Sequence, residues 1–354
     1  MLGSKIVFLA DNMFKTHKAK TTMGILRNTN KNVLAVIDRS LQGLTVGKIK
    51  DTNDDTPIIG NLQDILYLNP TTLIMGTYPP RGILPDFWKD QILLAINHHM
   101  NIISWFHRPL INEPIIKNAI ENSAVRLFDV RQNNLNYTIV GETQHPPKSL
   151  TILTVGSDCS VGKMTTALSI MSETQKRHIE CNFVATGQAG IILTGEGLCI
   201  DNIPGDYIAS ELELFLRKRL KNNCWTIVEG QGSIIHPSFS GVTLSLLHST
   251  KPDALVLCLD PMQQKIAGTD RDIPPIQDLI EIYKSATNWI SPTSFVGVSI
   301  NCEKLSNSET IQLINDIEHC TGLPTTDCIK FGPEKLVDSL QSLFDRKMYE
   351  PMTT

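Results

Sequence analysis

An excess of positive charge is missing from this chain. Its 32 Lys and Arg stand against 36 Asp and Glu, for a net charge of −4. No global basic field draws in nucleic acid or anionic lipid, and pairs such as Lys18 and Lys20 read as solvated faces. Nor does any run approach the ~18 apolar residues of a membrane span. The opening residues carry no charged-then-apolar leader with a small-residue cleavage site, so a cytoplasmic protein is expected. The eight cysteines form no Cys-x-x-Cys pair and no zinc-type spacing with histidine. Most lie in apolar runs, as Cys258 does in Ala254–Leu259. There a thiol behaves as a small hydrophobe, which suits a reducing compartment. Repeats and low-complexity tracts are absent, which sets aside solenoids and disordered interaction tails.

What remains is 354 residues of ordinary composition, 41% hydrophobic and 19% charged. This is enough for two cores and points to a soluble small-molecule enzyme. Short apolar runs alternate with amphipathic stretches. The strand candidates in the first half are Ile6–Ala10, Val33–Ile37, Thr72–Gly76, Ile102–Phe106 and Val125–Val130. In the second half they are Leu150–Val155, Phe183–Ala185, Trp225–Val228, Ala254–Leu259 and Ser294–Ile300. Nearly continuous apolar strands separated by helices indicate parallel sheets covered on both faces, here two doubly wound α/β domains. The polar, proline-bearing stretch Gly141–Ser149 is the best break, giving domains 1–147 and 148–354.

The strongest motif follows Leu150–Val155. It reads Gly156, Ser157, Asp158, Cys159, Ser160, Val161, Gly162, Lys163, Met164, Thr165, Thr166. A strand entering a glycine-bounded loop that opens a helix lets backbone N–H groups face a phosphate. The helix N-terminus and Lys163 add positive charge. All of these residues apart from Cys159 are candidate cofactor contacts. Two departures stand out. Five residues separate the glycines rather than four, and Met164 follows the lysine where a hydroxyl would ligate Mg²⁺. The hydroxyl then comes late, from Thr165 or Thr166. The spacing resembles the loop of dethiobiotin synthetase and related ligases.

Glu229 closes the strand Trp225–Val228 in Glu-Gly-Gln-Gly-Ser, where an acid would hold Mg²⁺ or its water. The ligases carry a similar Glu-Gly-x-Gly. If Mg²⁺ is used, Thr165 and Glu229 are its candidate ligands. His236 follows on the same loop and is a candidate general base, as is Glu229. Gln188, in Ala185–Gly190, stands where the ligases have a lysine nearby. Asp206 and Glu213 are seven apart, on one face of an expected helix. Arg271 is a candidate phosphate or carboxylate clamp. Asn301 ends Val296–Asn301 in a Gly-Val-x-x-Asn pattern like the adenine-reading strand of that ligase group. In the first half no Gly-x-Gly-x-x-Gly accompanies the strand-ending Asp38, so the case for NAD is weak. Arg81, His107 and Arg108 lie on strand-end loops, as candidates for recognising an acidic substrate.

Taken in order, Asp38, Pro-Pro-Arg81-Gly, the Gly-Lys-Met-Thr-Thr loop, Ala-Thr-Gly-Gln188-Ala-Gly, Asp206-Tyr-Ile-Ala and Glu229-Gly-Gln-Gly-Ser resemble the bacterial and archaeal DUF1611 family over nearly the whole chain. The resemblance implies a Rossmann-like N-terminal domain followed by a P-loop domain. It also implies D-glutamate N-acetyltransferase activity, often alongside an enolase-superfamily partner. Acetyl-CoA would be the cofactor, its phosphates cradled by the loop, and an acidic amino acid the substrate. Arg81, Arg108, Gln188 and Asp206 would then be candidate substrate contacts. Two alternatives stay open: an ATP- and Mg²⁺-dependent ligase or kinase of the dethiobiotin synthetase type, and a nucleotide-binding regulatory protein without turnover. Self-association stays open under all three.

Overall fold

In the computed structural model, the described residues are 5–29, 33–50, 52, 54–133, 135, 146 and 148–349. Contacts divide the chain into two compact units. The first is 1–134 together with 188–202, and the second is 135–187 together with 203–354. The expected break at residue 147 lies outside the described residues. What the sequence did not disclose is the return of 188–202 to the first unit.

The first unit carries β1 (Ile6–Leu9), β2 (Val33–Ile37), β3 (Ile58–Ile59), β4 (Thr72–Met75), β5 (Asn101–Ser104) and β6 (Leu127–Asp129). They form one sheet in the order β3-β2-β1-β4-β5-β6, every pair parallel. This is the doubly wound order with its reversal between β1 and β4. The helices α1 (Lys20–Thr29), α2 (Val46–Lys50), α3 (Asp86–Asn97) and α4 (Pro114–Glu121) connect the strands. Every residue of β1 is buried, as expected for a parallel strand covered on both faces. Trp88, Ile92 and Phe106 pack with Val7, Leu9 and Leu73 in the core.

On the β1–β2 side the strand-ending acid is engaged by the chain itself. Phe14 is fully buried there, and its N–H donates to the Asp38 carboxylate at 3.0 Å. The same carboxylate accepts the Ser40 N–H at 3.0 Å and hydroxyl at 2.6 Å. Asp38 therefore braces a turn, and its oxygens are taken.

The second unit carries β7 (Leu150–Gly156), β8 (Cys181–Val184), β9 (Trp225–Val228), β10 (Ala254–Leu259), β11 (Ser294–Ile300) and β12 (Thr325–Thr326). Their order is β12-β11-β10-β7-β9-β8, again all parallel. The chain leaves β7, builds the far edge at β8, returns to β9 and then crosses to β10. The reversal therefore falls at β7, whose carboxyl end opens the glycine loop. Ligand sites of open sheets lie at such a point.

Helices α5 (Lys163–Lys176), α7 (Ile208–Arg217), α8 (Ser240–Thr250), α9 (Ile276–Thr287), α10 (Asn307–Thr321) and α11 (Glu334–Tyr349) cover this sheet, while α6 (Gln188–Thr194) belongs to the first unit. Ser306 and Glu309 form a capping box at the start of α10. No helix of the described residues is long and apolar enough to cross a membrane.

The expected strands are present, and the two-residue strands β3 and β12 are additions. The expected shared face of Asp206 and Glu213 is corrected: Asp206 is exposed in the turn Gly205–Tyr207, ahead of α7, whereas Glu213 is buried within α7. All eight cysteines are free, five of them buried.

Leu336 on α11 is fully buried in the core with Ile152, Val256 and Val296. Leu336→Ala is expected to lower unfolding stability by about 2–5 kcal/mol, measured by urea denaturation.

Candidate active site at the glycine loop

The loop between β7 and α5 is built around a buried cation. Gly162, at φ 102°, turns the chain into α5, a left-handed geometry that a side chain resists. Lys163 follows as the first helical residue and is buried. Its ammonium donates to the Asp158 carbonyl at 2.6 Å. Burial lowers its pKa, and the charges of Cys159, Cys258, Asp158 and Glu229 oppose that shift. The Ser157 hydroxyl is buried with no partner among the described residues. A buried donor of this kind calls for an acceptor. Val161 is buried, Ser160 holds a positive φ of 63°, and Met164 and Thr165 are half-buried at the start of α5. The Thr166 hydroxyl turns into the sheet and donates to Ser299 at 2.7 Å.

Asp158 ties the loop to its surroundings. Its carboxylate accepts the Cys159 N–H at 2.6 Å, the Gln263 amide at 2.5 Å and the Ala267 N–H at 2.5 Å. It thereby fastens the segment after β10 to the glycine loop. His236 serves the same brace. Its Nδ1 accepts the Ser238 N–H at 3.1 Å, which leaves the proton on Nε2 to donate to the Ala267 carbonyl at 3.1 Å. Both ring nitrogens are thus engaged, and the imidazole holds loops together. From α9, the Tyr283 hydroxyl donates to the Gly156 carbonyl at 2.9 Å and accepts the Ile234 N–H at 3.2 Å.

Ligand atoms of Asp158, Cys159 and His236 lie within 4.8 Å of one another. They make a poor metal set. A metal on Nε2 would push the ring proton onto Nδ1, which already faces an N–H donor.

Glu229 stands at the end of β9, next to β7. Gly230 lets it come this close: a Cβ there would lie 1.6 Å from the Thr154 carbonyl oxygen. The carboxyl accepts the Thr186 N–H at 3.1 Å, the Gly187 N–H at 3.3 Å and the Gln231 amide at 3.1 Å. Burial pushes its pKa up to about 7 despite these donors and the nearby Lys163 charge. Glu229 offers magnesium little, since both carboxyl oxygens already take N–H donors. The Thr166 hydroxyl points into the sheet, while Thr165, the other candidate ligand, is half-buried on the first turn of α5.

The other expected contacts are dispersed. Asn301 lies half-buried at the end of β11, its N–H on the Leu259 carbonyl at 2.8 Å. Gln188 opens α6 in the first unit, its amide 3.3 Å from the Thr21 hydroxyl. Arg81 is exposed in a turn at φ 55°. The Arg108 side chain is 66% exposed, 3.9 Å from Glu113, and Arg271 is exposed. Within the second unit, Asp206 makes no described contact with the glycine loop or Glu229, while Gln188, Arg81 and Arg108 belong to the first unit. Sequence reasoning missed the bracing by Asp158, Gln263 and Tyr283, because those partners are distant in the chain. It also missed Arg131, whose position directly after a strand was the available signal.

The DUF1611 P-loop domain matches residues 139–337, and the DUF1611 N-terminal Rossmann-like domain matches residues 39–133. A D-glutamate N-acetyltransferase of Tritonibacter scottomollicae is 35% identical over 274 residues, 77% of this chain and 81% of that one. Another, from a Pseudoalteromonas species, is 33% identical over 275 residues, 77% of this chain and 82% of that one. The crystal structure of a DUF1611 protein from Anabaena variabilis superimposes with a TM-score of 0.87 at 27% identity, covering 96% of this chain and all of the other.

Folded Glu229 holds its proton to about pH 7, against 4.5 for the free side chain. The proton stabilises the fold fully below pH ~4.5, and that stabilisation is lost as pH rises through 7, on the order of 3 kcal/mol. Glu229→Gln is expected to flatten this dependence and to raise the melting temperature at pH 8 more than at pH 5. Parallel pH profiles of the two proteins would expose the prediction as wrong.

Proposed function

The chain belongs to the DUF1611 family, and from that premise we propose that it is an N-acetyltransferase. The reaction moves the acetyl group of acetyl-CoA to the amine of an acidic amino acid, D-glutamate being the first candidate. The observation that carries this reading is the 33–35% identity to two D-glutamate N-acetyltransferases over 77% of the chain. The site supports it in three ways.

Lys163, the Ser157 hydroxyl and the N–H groups opening α5 make a cradle for phosphate, and coenzyme A offers three phosphoryl groups. The engagement of both Glu229 oxygens by N–H donors suits a cofactor that is held by its phosphates and not hydrolysed. Glu229, with a pKa near 7, is matched to proton exchange at neutral pH, and we assign it as the base that relieves the amine of its proton. As the amine attacks the thioester carbonyl, a carbon–nitrogen bond forms. Collapse of the tetrahedral intermediate then breaks the carbon–sulfur bond and releases the thiol of coenzyme A. Backbone N–H groups of the glycine loops are the candidate oxyanion donors. His236 acts here as a brace for the loops.

The test is a turnover assay over D- and L-amino acids, following free thiol with acetyl-CoA and ADP with ATP and Mg²⁺. Thiol release that depends on D-glutamate is expected. ADP release without thiol would replace this reading with that of an ATP-dependent ligase or kinase. Binding without either product would leave a regulatory nucleotide-binding protein.

A further inference from the structure

The first unit gathers a second group of polar side chains at the carboxyl ends of β4, β5 and β6. Arg131, just beyond β6, is almost fully buried. Its Nε donates to the Trp105 carbonyl at 2.8 Å, and its guanidinium pairs with Asp201 at 2.6 Å. Its charge also falls on Tyr78. The Tyr78 ring lies edge-on to Trp105, centroids 4.4 Å apart, and stacks on His107 at 5.8 Å. Beside Tyr78, the Thr77 hydroxyl is fully buried with no partner among the described residues.

Asp201 comes from the returning segment 188–202, which is sewn to this edge. Asn133 and Cys199 exchange two hydrogen bonds, at 2.8 and 3.2 Å, and the Asn202 amide donates to the Arg131 carbonyl at 2.8 Å. The Asp201 side chain is 44% exposed. Its Oδ1 takes both Arg131 and the Cys199 thiol, the latter at 3.0 Å, while Oδ2 has no partner among the described residues.

A structural ion pair does not need its carboxylate half-exposed. Here Asp201 keeps one oxygen toward solvent, near the phenol of Tyr78 and the exposed imidazole of His107. The buried Thr77 hydroxyl, next to Tyr78 in the chain, has no partner among the described residues. Strand ends of open sheets are where ligands bind, and on the β1–β2 side of this sheet the strand-ending Asp38 is engaged by Phe14 and Ser40. We propose that the β4–β6 edge of the first unit is an amino-acid-binding site. Asp201 takes the ligand's amino group, and Tyr78 and His107 take a carboxylate. Arg131 is a positioning residue that holds Asp201 in place. The inference rests on the acetyltransferase reading only for the choice of D-glutamate as ligand.

The test is calorimetric titration of the full chain with D-glutamate in the absence of any acetyl donor, and with glutarate, which lacks the amine. Wild-type protein should bind D-glutamate, and glutarate at least about tenfold more weakly. Tyr78→Phe, which keeps the ring, should weaken D-glutamate about tenfold with its melting temperature nearly unchanged. Asp201→Asn should erase the preference for D-glutamate over glutarate. No D-glutamate binding by wild type, equal binding of the two ligands, or wild-type affinity in Tyr78→Phe would overturn the site. Tyr78→Phe decides the matter if Asp201→Asn fails to fold. The outcomes also separate the two readings. Acetylation of D-glutamate with an unchanged KM in Tyr78→Phe removes the site and leaves the activity. D-glutamate binding with no acetyl transfer removes the activity and leaves the site.

Discussion

The second unit's site is organised by a lysine ammonium withdrawn from water. Taking such a charge out of water costs several kcal/mol unless it is paired, and a neutral carbonyl is weak compensation. Lys163 sits on the Asp158 carbonyl. Burial lowers its pKa even though the nearby charges of Asp158 and Glu229 oppose that shift, and Glu229 keeps its proton to about pH 7. An anionic ligand therefore finds a cation whose desolvation cost folding has already met, beside the opening turn of α5 and a Ser157 hydroxyl with no partner among the described residues.

That arrangement persists only because the loop is clamped from several directions. Tyr283 holds the Gly156 carbonyl, and Ser233 holds that of Ser157 at 3.0 Å. Asp158 takes Gln263 and Ala267, and His236 closes the circuit at the Ala267 carbonyl. Side chains locked by such contacts keep a site preorganised. This recasts two expectations. Asp158, read from sequence as a cofactor contact, spends its side chain on holding the loop. His236, a candidate base, has its ring nitrogens in contact with Ser238 and the Ala267 carbonyl.

How much was legible in the sequence follows from the range of the interactions involved. The two parallel sheets were readable because continuous apolar runs such as Ile6–Leu9 and Ala254–Leu259 are what strands buried on both faces require. The glycine loop was readable because its glycines, lysine and helix start are contiguous. The two-residue strands β3 and β12 offer too short a pattern, and α8, with apolar residues all round, has no periodic face to detect. The return of 188–202 depends on pairs such as Arg131–Asp201, seventy residues apart, which no local pattern encodes. The same distance explains why exposed Arg81 and Arg108 drew attention while buried Arg131 did not.

The central claim is that the second unit's loop holds the phosphates of an acyl carrier. It is tested most directly by titrating wild type and Lys163→Met with acetyl-CoA and with S-acetylpantetheine, which carries the same thioester without phosphate. Wild type should bind acetyl-CoA far more tightly than S-acetylpantetheine. Lys163→Met should lose about tenfold or more of the acetyl-CoA affinity, ~1.4 kcal/mol, with its S-acetylpantetheine affinity unchanged. Equal affinity for the two ligands in wild type, or an acetyl-CoA affinity indifferent to Lys163, would contradict the account.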